Sequence, residues 1–285
     1  MTDEFDPDTL RDEMLERWES AAPGWGRQAQ HTRELGMPVS TWMIEQLSLQ
    51  PGQDVLELAA GPGDTGFLAA ELVAPGGRLI CSDATEGMLD VARQRAESFG
   101  VRNVEFKQLQ LEWIDLPTAS VDAVLCRWGF MLVVDPVTAL QESRRVLRPG
   151  GRIALAVWDQ PAENPWATIT SQALIEEGAL ERPEPGAPGM FALAKPGMVE
   201  EMLGEAGFVD VRVESVELGR TYESFDEYWA ETLDLSQMVS GAVAALSPQR
   251  REAVENRVRE LAAPFADGDG GLVLPGRSLA TSASS

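Results

Sequence analysis

The stretch VLELAAGPGDTG, residues 55–66, decides the fold, because an apolar run passes directly into a glycine-rich turn and then into a helical pattern. The apolar residues predict a strand over 54–60 that is buried on both faces. Gly61 and Gly63 predict a sharp turn, where the backbone bends and leaves room for the close approach of another group. The order of strand, glycine turn and helix is typical of a doubly wound α/β fold.

Outward from this unit, apolar runs and helical patterns continue to alternate. Further strands are predicted at 78–83, 104–109, 121–127 and 152–158, and helices at 64–73, 85–98 and 135–147. Strands that alternate with helices form βαβ units. We therefore expect an α/β protein with a doubly wound, mainly parallel sheet and helices on both of its faces.

The other segments are expected to decorate this sheet. Residues 159–195 are rich in proline and small residues, including PEPGAP at 183–188, and predict an irregular excursion. The pattern then predicts a helix over 196–206, a strand over 208–218 and further helices over 224–265. We expect a single domain over 1–285, with an N-terminal helical lid (1–50), a core (51–158), insertions at 159–195 and 219–270, and a closing strand at 271–281.

Composition excludes several classes of partner. The 285 residues carry 23 Lys and Arg against 46 Asp and Glu, a net charge of −23. Such a charge repels phosphate backbones and anionic lipids, which argues against nucleic-acid or membrane-surface binding. The sequence contains no run of the roughly 18–20 apolar residues that cross a membrane, and its acidic N-terminus is unlike a secretory signal. We therefore expect a cytoplasmic protein, in which Cys81 and Cys126 are reduced core residues and no metal is bound.

An acid at the end of the second predicted strand indicates a ligand at the glycine turn. Asp83 follows Gly63 by 20 residues, where an acidic side chain accepts hydrogen bonds from ribose hydroxyls in this kind of fold. A tight turn without a ligand would explain the glycines but not the acid. We therefore expect a ligand that contains a nucleoside.

Glu57 indicates which nucleoside. The glycines Gly61, Gly63 and Gly66 match G-x-G-x-x-G, a pattern that also occurs in dinucleotide-binding proteins. An acid inside the first strand would repel a pyrophosphate but would suit a ligand that carries an ammonium group. S-adenosyl-L-methionine is such a ligand.

Five segments in order extend this interpretation to a family. They are VLELAAGPG (55–63), Asp83 with Met88, LEW (111–113), DAVLCRWGFMLVVDP (122–136) and RRVLRPGGRIALAVW (144–158). With these segments, most of residues 40–218 resembles the class I S-adenosylmethionine-dependent methyltransferases, particularly the small-molecule branch that contains the ubiquinone/menaquinone C-methyltransferases. The resemblance implies a seven-stranded sheet whose last strand is antiparallel, with S-adenosyl-L-methionine as cofactor.

The resemblance also implies roles for individual residues. Glu57 would lie near the ammonium group of the cofactor, and Asp83 would hold its ribose. The other cofactor-binding residues that it implies are Ala59, Gly61 and Gly63 along the methionine and ribose, Ala84, Met88, Gln110, Leu111 and Glu112 around the adenine, and Arg127, with Trp128, at the methionine end. Two positions depart from the family pattern, since Ala59 replaces a usual glycine and Gln110 a frequent aspartate.

A proton acceptor is harder to predict. Transfer to an oxygen or carbon atom usually also requires removal of a proton. His31, the only histidine, is chemically suited to this and lies in the predicted lid, although a surface histidine in the polar run RQAQHTRE is the simpler interpretation. Tyr222 and Glu223 are weaker candidates.

Tryptophans in the segments outside the predicted core bear on which molecule accepts the methyl group. Those in question are Trp18, Trp25, Trp42, Trp166 and Trp229. Each could simply pack a helix on the core, but together they favour an aromatic or polyketide-like small molecule as acceptor. The prediction is thus a methyltransferase acting on an O or C atom. A non-methylating S-adenosylmethionine enzyme, an NAD-dependent oxidoreductase and assembly into a homodimer stay open at this point.

Overall fold

The computed structural model describes residues 6–184 and 186–285. Residues 1–5 and Pro185, which the predicted lid and excursion include, lie outside the described residues. Within the described part of the chain, the strands are β1 Asp54–Glu57, β2 Arg78–Asp83, β3 Val104–Gln108, β4 Val121–Arg127, β5 Leu147–Trp158, β6 Val209–Tyr222 and β7 Leu272–Ser284. They form one seven-stranded sheet with the order β3-β2-β1-β4-β5-β7-β6.

The helices of the same residues precede, connect and follow these strands. They are α1 Pro7–Arg27, α2 Ala29–Leu47, α3 Asp64–Val73, α4 Glu86–Phe99, α5 Pro136–Val146, α6 Pro165–Glu176, α7 Met198–Glu205, α8 Phe225–Leu235, α9 Gln237–Ala244 and α10 Pro248–Ala262. Several begin at an oxygen-bearing cap followed by a helical proline, as at Asp135–Pro136 and Ser247–Pro248. These caps satisfy backbone N–H groups that the first turn leaves free.

The sheet confirms the predicted fold class. Strands β1 to β5 pair in parallel, with Leu56 of β1 opposite both Ile80 of β2 and Val124 of β4. Strand β7 is antiparallel to its neighbours β5 and β6. Most side chains of the central strands are buried, because helices cover the sheet on both faces.

Three predicted boundaries need correction. Strand β1 ends at Glu57 rather than at residue 60, because Ala59 adopts a left-handed backbone with φ of 48° that no strand can continue. The excursion 159–195 is not irregular throughout, since Pro165 starts helix α6 at a position where a missing N–H costs nothing. The insertion predicted from residue 219 begins instead with the end of β6, which continues to Tyr222.

The closing strand is also longer than predicted. β7 runs to Ser284, because it pairs along its length with β6 on one side and, over Ser278–Ser284, with β5 on the other. No helix in the described residues is both long enough and apolar enough to cross a membrane.

Candidate active site

A pocket opens at the carboxyl ends of β1, β2 and β4, with α1 forming one wall. Its empty volume is about 1090 Å³, open solvent at the mouth included. In doubly wound folds ligands bind at this edge of the sheet. The pocket therefore has the position at which a nucleoside ligand binds in this kind of fold.

Asp83 fixes the glycine turn from the end of β2. Its Oδ2 accepts a hydrogen bond of 3.0 Å from the backbone N–H of Gly61, and its Oδ1 accepts bonds of 3.1 and 3.0 Å from the N–H and hydroxyl of Thr85. Burial raises the pKa of Asp83, while these hydrogen bonds oppose that rise. The carboxylate is thus held rigidly at the rim of the pocket, with lone pairs left for a ligand hydroxyl.

Glu57 lies deeper, at the end of β1. Its Oε1 accepts a 2.8 Å hydrogen bond from the N–H of Gly66, but its buried Oε2 has no hydrogen-bond partner among the described residues. Burial raises the pKa of Glu57 to about 8. A buried carboxylate oxygen without a partner is costly, and a donor-rich cation would remove that cost.

Beside Glu57 lies a cluster of one acid and three arginines. Asp64, the first residue of α3, is ion-paired with Arg95, and it lies 3.9 Å from Nη1 of Arg33 and 3.7 Å from Nη2 of Arg127. Desolvation lowers the pKa of the buried Arg127, and the neighbouring acids oppose that effect. Gly36 of α2 leaves space for this guanidinium, because a Cβ at Gly36 would overlap it.

A column of three indoles connects two arginines behind the pocket. The rings of Trp128 and Trp158 stack with centroids 4.1 Å apart, and the rings of Trp158 and Trp166 meet edge to face with centroids 4.9 Å apart. The guanidinium of Arg127 lies 4.5 Å from the Trp128 ring and that of Arg220 lies 3.6 Å from the Trp166 ring. Such cation–π contacts hold charged groups in place where hydrogen bonds are few.

Helix α1 closes the pocket from the solvent side. Glu112 accepts a 2.7 Å hydrogen bond from Nη2 of Arg11, and Glu19 accepts bonds of 3.1 Å from the N–H of Gly87. Between these contacts, Trp18 and Trp25 meet edge to face at 5.9 Å and line the pocket. Leu132, Val133 and Val134 add further apolar lining.

The structure brings most of the residues predicted to bind the cofactor together. Those that line the pocket are Glu57, Ala59, Gly61, Asp83, Ala84, Met88, Gln110, Leu111, Glu112 and Arg127. Gly63 is not among the described lining residues, because it caps α3 and faces the ring of Phe67. Glu112 forms an ion pair with Arg11, which the sequence did not predict.

His31 lies elsewhere. It is not among the described residues that line the pocket. Its Nε2 is 3.4 Å from Oε2 of Glu231, and its ring stacks on Tyr222 at 5.5 Å. Tyr222 is buried, which raises its pKa, and Glu223 is exposed. The placement follows from the start of α2, which turns His31 towards α8 and the end of β6.

Some lining residues were missed by sequence reasoning. They are Met14 and Leu15 of α1 and the loop residues Leu132, Val133 and Val134. The amphipathic pattern of α1 predicts a lid but not which side chains reach the pocket. Of the other tryptophans, Trp42 donates a 2.7 Å hydrogen bond to Glu214, and Trp229 stacks on Phe225 of its own helix at 6.3 Å and packs on a second hydrophobic cluster, so neither lines the pocket.

The described residues contain no group of His, Cys, Asp or Glu side chains suited to hold a metal ion. A ligand with a ribose, an ammonium group and an apolar ring would instead fit the pocket, because it would complement Asp83, the free oxygen of Glu57 and the apolar side chain of Met88. S-adenosyl-L-methionine has these parts.

A family model described as a methyltransferase domain matches residues 49–196, which is more than half of the chain. The chain therefore belongs to this family, within the class I S-adenosylmethionine-dependent methyltransferases. The resemblance inferred from the sequence is confirmed. An NAD-dependent oxidoreductase is not favoured by this membership.

Two relatives and one solved structure illustrate the similarity. The ubiquinone/menaquinone biosynthesis C-methyltransferase UbiE of Hahella chejuensis is 36% identical over 41% of this chain and 48% of that protein. An arsenite methyltransferase of Halobacterium salinarum is 31% identical over 71% of this chain and 49% of that protein. The chain spans about half the length of these curated relatives. The YcgJ protein of Bacillus subtilis, 19% identical with a TM-score of 0.57, shares the fold over 86% of this chain and 97% of its own.

Proposed function

We propose that this protein transfers the methyl group of S-adenosyl-L-methionine to an O or C atom of a small aromatic or polyketide-like molecule. We also propose that residues 51–158 form the cofactor-binding core of a single domain that acts in the cytoplasm. The observation that carries the proposal is the unpartnered Oε2 of Glu57, which lies in the same pocket as the ribose-type acid Asp83. Together they suit a ligand with both an ammonium group and a ribose.

The assignment of the cofactor follows the order of these groups along the sheet. Asp83 ends β2 and would accept hydrogen bonds from the ribose hydroxyls, while Glu57 at the end of β1 would face the ammonium group. Ala84 and Met88, with Gln110 and Leu111 opposite, would enclose the adenine. Family membership and the UbiE relative support the same cofactor.

The proposed class of methyl acceptor rests on the pocket residues that are not assigned to the cofactor. Trp18 and Trp25 of α1 line the pocket together with the apolar residues Leu132 and Val133. Flat apolar molecules bury the most surface between such walls, and aromatic pairs add about 0.5–1.5 kcal/mol. Relatives named for a C-methyltransferase and an arsenite methyltransferase indicate that small acceptors suit this family.

In this reaction the residues of the chain mainly position the reactants. The cofactor, when bound, supplies a methyl carbon that its sulfonium already activates for in-line displacement. Glu57 would hold the ammonium group of the cofactor and Asp83 its ribose. Helix α1 would exclude water and align the methyl acceptor. Alignment of this kind accounts for much of the rate enhancement when little proton transfer is needed.

We also propose His31 as the group that removes a proton from the acceptor. Its ring is partly exposed, and Glu231 and Tyr222 orient it. Because His31 stands outside the pocket wall, this role requires the acceptor or a water molecule to extend towards α2. A His31→Ala variant should then lower turnover without changing cofactor affinity, whereas wild-type turnover would remove the assignment.

Titration calorimetry with S-adenosylmethionine, S-adenosylhomocysteine and NADH tests the cofactor. We expect micromolar binding of the two adenosyl ligands and no binding of NADH. An acceptor screen with small phenols and 1,3-dicarbonyl compounds, using methyl-labelled cofactor, then tests the reaction. Conversion of an acceptor with no transfer of label would favour a non-methylating reaction, and binding of NADH alone would overturn the proposal.

A further inference from the structure

The turn between β1 and α3 forms part of the pocket wall, and hydrogen bonds hold its backbone on the side of the sheet. The N–H of Gly61 donates to Oδ2 of Asp83, and the N–H of Gly63 donates a 2.9 Å bond to the carbonyl oxygen of Ala60. Pro62, between the two glycines, has no N–H to donate. Its carbonyl oxygen accepts a hydrogen bond from outside the turn.

Arg95 of α4 donates that hydrogen bond. Its Nε lies 3.2 Å from the carbonyl oxygen of Pro62, and its Nη2 is ion-paired with Oδ1 of Asp64. The Arg95 side chain is 14% exposed and that of Asp64 only 3%, so solvent screens the pair weakly. One guanidinium thus contacts the residues on both sides of Gly63, which its planar fork of donors allows and a lysine ammonium does not.

Aromatic rings support this guanidinium from α4 and α3. The guanidinium of Arg95 lies 5.1 Å from the centre of the Phe99 ring, and Phe99 meets Phe67 of α3 edge to face at 6.3 Å. Phe67 in turn packs against Gly63, where a Cβ would lie 2.5 Å from the ring. Arg95 therefore reaches the turn from outside the pocket, and it is not among the described residues that line the pocket.

The glycines make such a hold consequential. Gly61 and Gly63 have positive φ angles of 51° and 85°, and a glycine backbone has more accessible conformations than that of any other residue. The peptide group between Pro62 and Gly63 is bonded at its N–H by Ala60 and at its C=O by Arg95. It cannot rotate without breaking both bonds, whereas loss of Arg95 would leave it held at one end.

We propose that Arg95 is a positioning residue for the cofactor, because it keeps the glycine turn in the conformation that binds an S-adenosyl ligand. The inference rests on the proposed function for the identity of that ligand. Gly61 and Pro62 line the pocket and Arg95 does not, so Arg95 acts through the turn rather than by contact with the ligand.

Amide hydrogen exchange of the unliganded protein, followed by NMR, tests the hold on the turn. In Arg95→Gln the N–H groups of Gly61 and Gly63 should exchange at least tenfold faster relative to that of Leu58, because the turn opens more often. Leu58 donates to the carbonyl oxygen of Leu125 at the end of β1 and serves as the internal reference. A merely structural role would raise the rate of Leu58 by as much as those of the glycines.

Titration calorimetry with S-adenosylhomocysteine tests the consequence for binding. Arg95→Gln should weaken the affinity at least fivefold. Arg95→Lys keeps a charge beside Asp64 but cannot make both contacts, so its affinity should lie between those of Arg95→Gln and the wild type. This variant also keeps the test decisive if Arg95→Gln does not fold.

Arg93→Gln is the matched control for charge. Arg93 belongs to the same helix but is ion-paired with Glu86 and Asp90, and it is not among the described residues that line the pocket. Its glutamine variant should bind S-adenosylhomocysteine like the wild type. An equal loss of affinity in Arg93→Gln and Arg95→Gln would assign the effect to net charge and overturn the inference.

The outcomes are separable from those of the proposed function. If Arg95→Gln binds S-adenosylhomocysteine like the wild type, the positioning role is refuted and the cofactor assignment stands, whatever the exchange rates. If the wild type does not bind S-adenosylhomocysteine at all, the proposed function fails, and the role of Arg95 in binding fails with it. The exchange rates of Gly61 and Gly63 then still decide whether Arg95 holds the turn.

Discussion

At the residue scale, the unsatisfied polar atoms of the pocket are its most informative feature. Oε2 of Glu57, Oδ2 of Asp64 and Nη1 of Arg127 are buried without hydrogen-bond partners among the described residues. Native proteins leave few such atoms, and each requires an explanation. Of the seven such atoms in the described residues, those of Glu57 and Arg127 belong to residues that line the pocket, where a polar ligand would lie beside them.

Glu57 makes stability depend on pH. Burial raises its pKa to about 8 from an ordinary value of 4.5, so the folded protein holds a proton that the unfolded chain releases between these values. Because the folded state binds more protons there, the free energy of unfolding should fall as the pH rises from about 5 to about 8. In Glu57→Gln this decrease should be smaller, by on the order of 2–4 kcal/mol over the window.

Urea unfolding of the unliganded protein at intervals across that window measures the effect. Glu105→Gln, which removes an exposed carboxylate of β3, is the control. Parallel pH profiles for the wild type and Glu57→Gln would contradict the expectation.

Asp83 should contribute directly to cofactor binding. Asp83→Ala removes the acceptor for ribose hydroxyls and the support of the Gly61 turn, so S-adenosylhomocysteine should bind more weakly by about 1–3 kcal/mol. Calorimetry measures the change, with Asp90→Ala on the exposed side of α4 as control. Unchanged affinity in a folded Asp83→Ala protein would sink the ribose assignment.

At the scale of elements, helix α1 forms one wall of the pocket. Arg11 connects α1 to Glu112 through a 2.7 Å ion pair that is partly buried. Arg11→Ala should therefore release S-adenosylhomocysteine faster by about three- to tenfold, which corresponds to roughly 0.7–1.4 kcal/mol. Stopped-flow dissociation measures the rate, and Arg17→Ala, with its exposed 3.8 Å pair to Glu13, should leave it unchanged. An equal effect of both variants would mean that the contact with Glu112 does not hold the lid.

At Gly36 in α2, helix propensity and packing predict opposite effects of a substitution by alanine. Alanine favours a helix over glycine by about 1 kcal/mol, but a Cβ at Gly36 would overlap the guanidinium of Arg127. Gly36→Ala should therefore not stabilise the protein, and it should weaken binding of S-adenosylhomocysteine several-fold. Gly26→Ala in α1, whose Cβ would lie 3.3 Å from Val91, is the matched control. Stabilisation by Gly36→Ala with unchanged binding would show that Arg127 tolerates displacement.

Local sequence predicted the elements better than the contacts between them. Apolar runs located β2 and β4 to the residue, because strands buried on both faces are continuous in sequence. The predicted end of β1 was wrong, because an apolar run does not reveal that Ala59 adopts a left-handed backbone. Likewise, a helix that starts with Pro165 was hidden by prolines that usually indicate loops.

The part of the candidate site that lies at the ends of single strands could be predicted from local sequence motifs. Glu57, Gly61 and Asp83 follow from the glycine turn and the strand after it, and all three line the pocket. The contributions of α1 could not be predicted, since nothing local indicates that Arg11 faces Glu112, a hundred residues away. The stacking of His31 on Tyr222 depends equally on distant chain packing.

At the scale of the whole molecule, the charge of −23 should make stability depend on salt. Like charges on one surface repel each other and favour the expanded chain, and salt screens that repulsion. Raising sodium chloride from about 0.05 to 0.5 M should therefore raise the melting temperature by several degrees. Differential scanning calorimetry measures the shift, and a fall in melting temperature would mean that screening of the surface ion pairs dominates.

The position of β7 has a consequence for how the chain is made. β5 is synthesised long before its antiparallel neighbour, and until residues 272–284 emerge it presents an unpaired edge to the cell. Open strand edges recruit other chains, so a nascent chain arrested before β7 would be prone to aggregate. Once β7 has been synthesised and pairs with β5, that edge is covered and no longer recruits other chains.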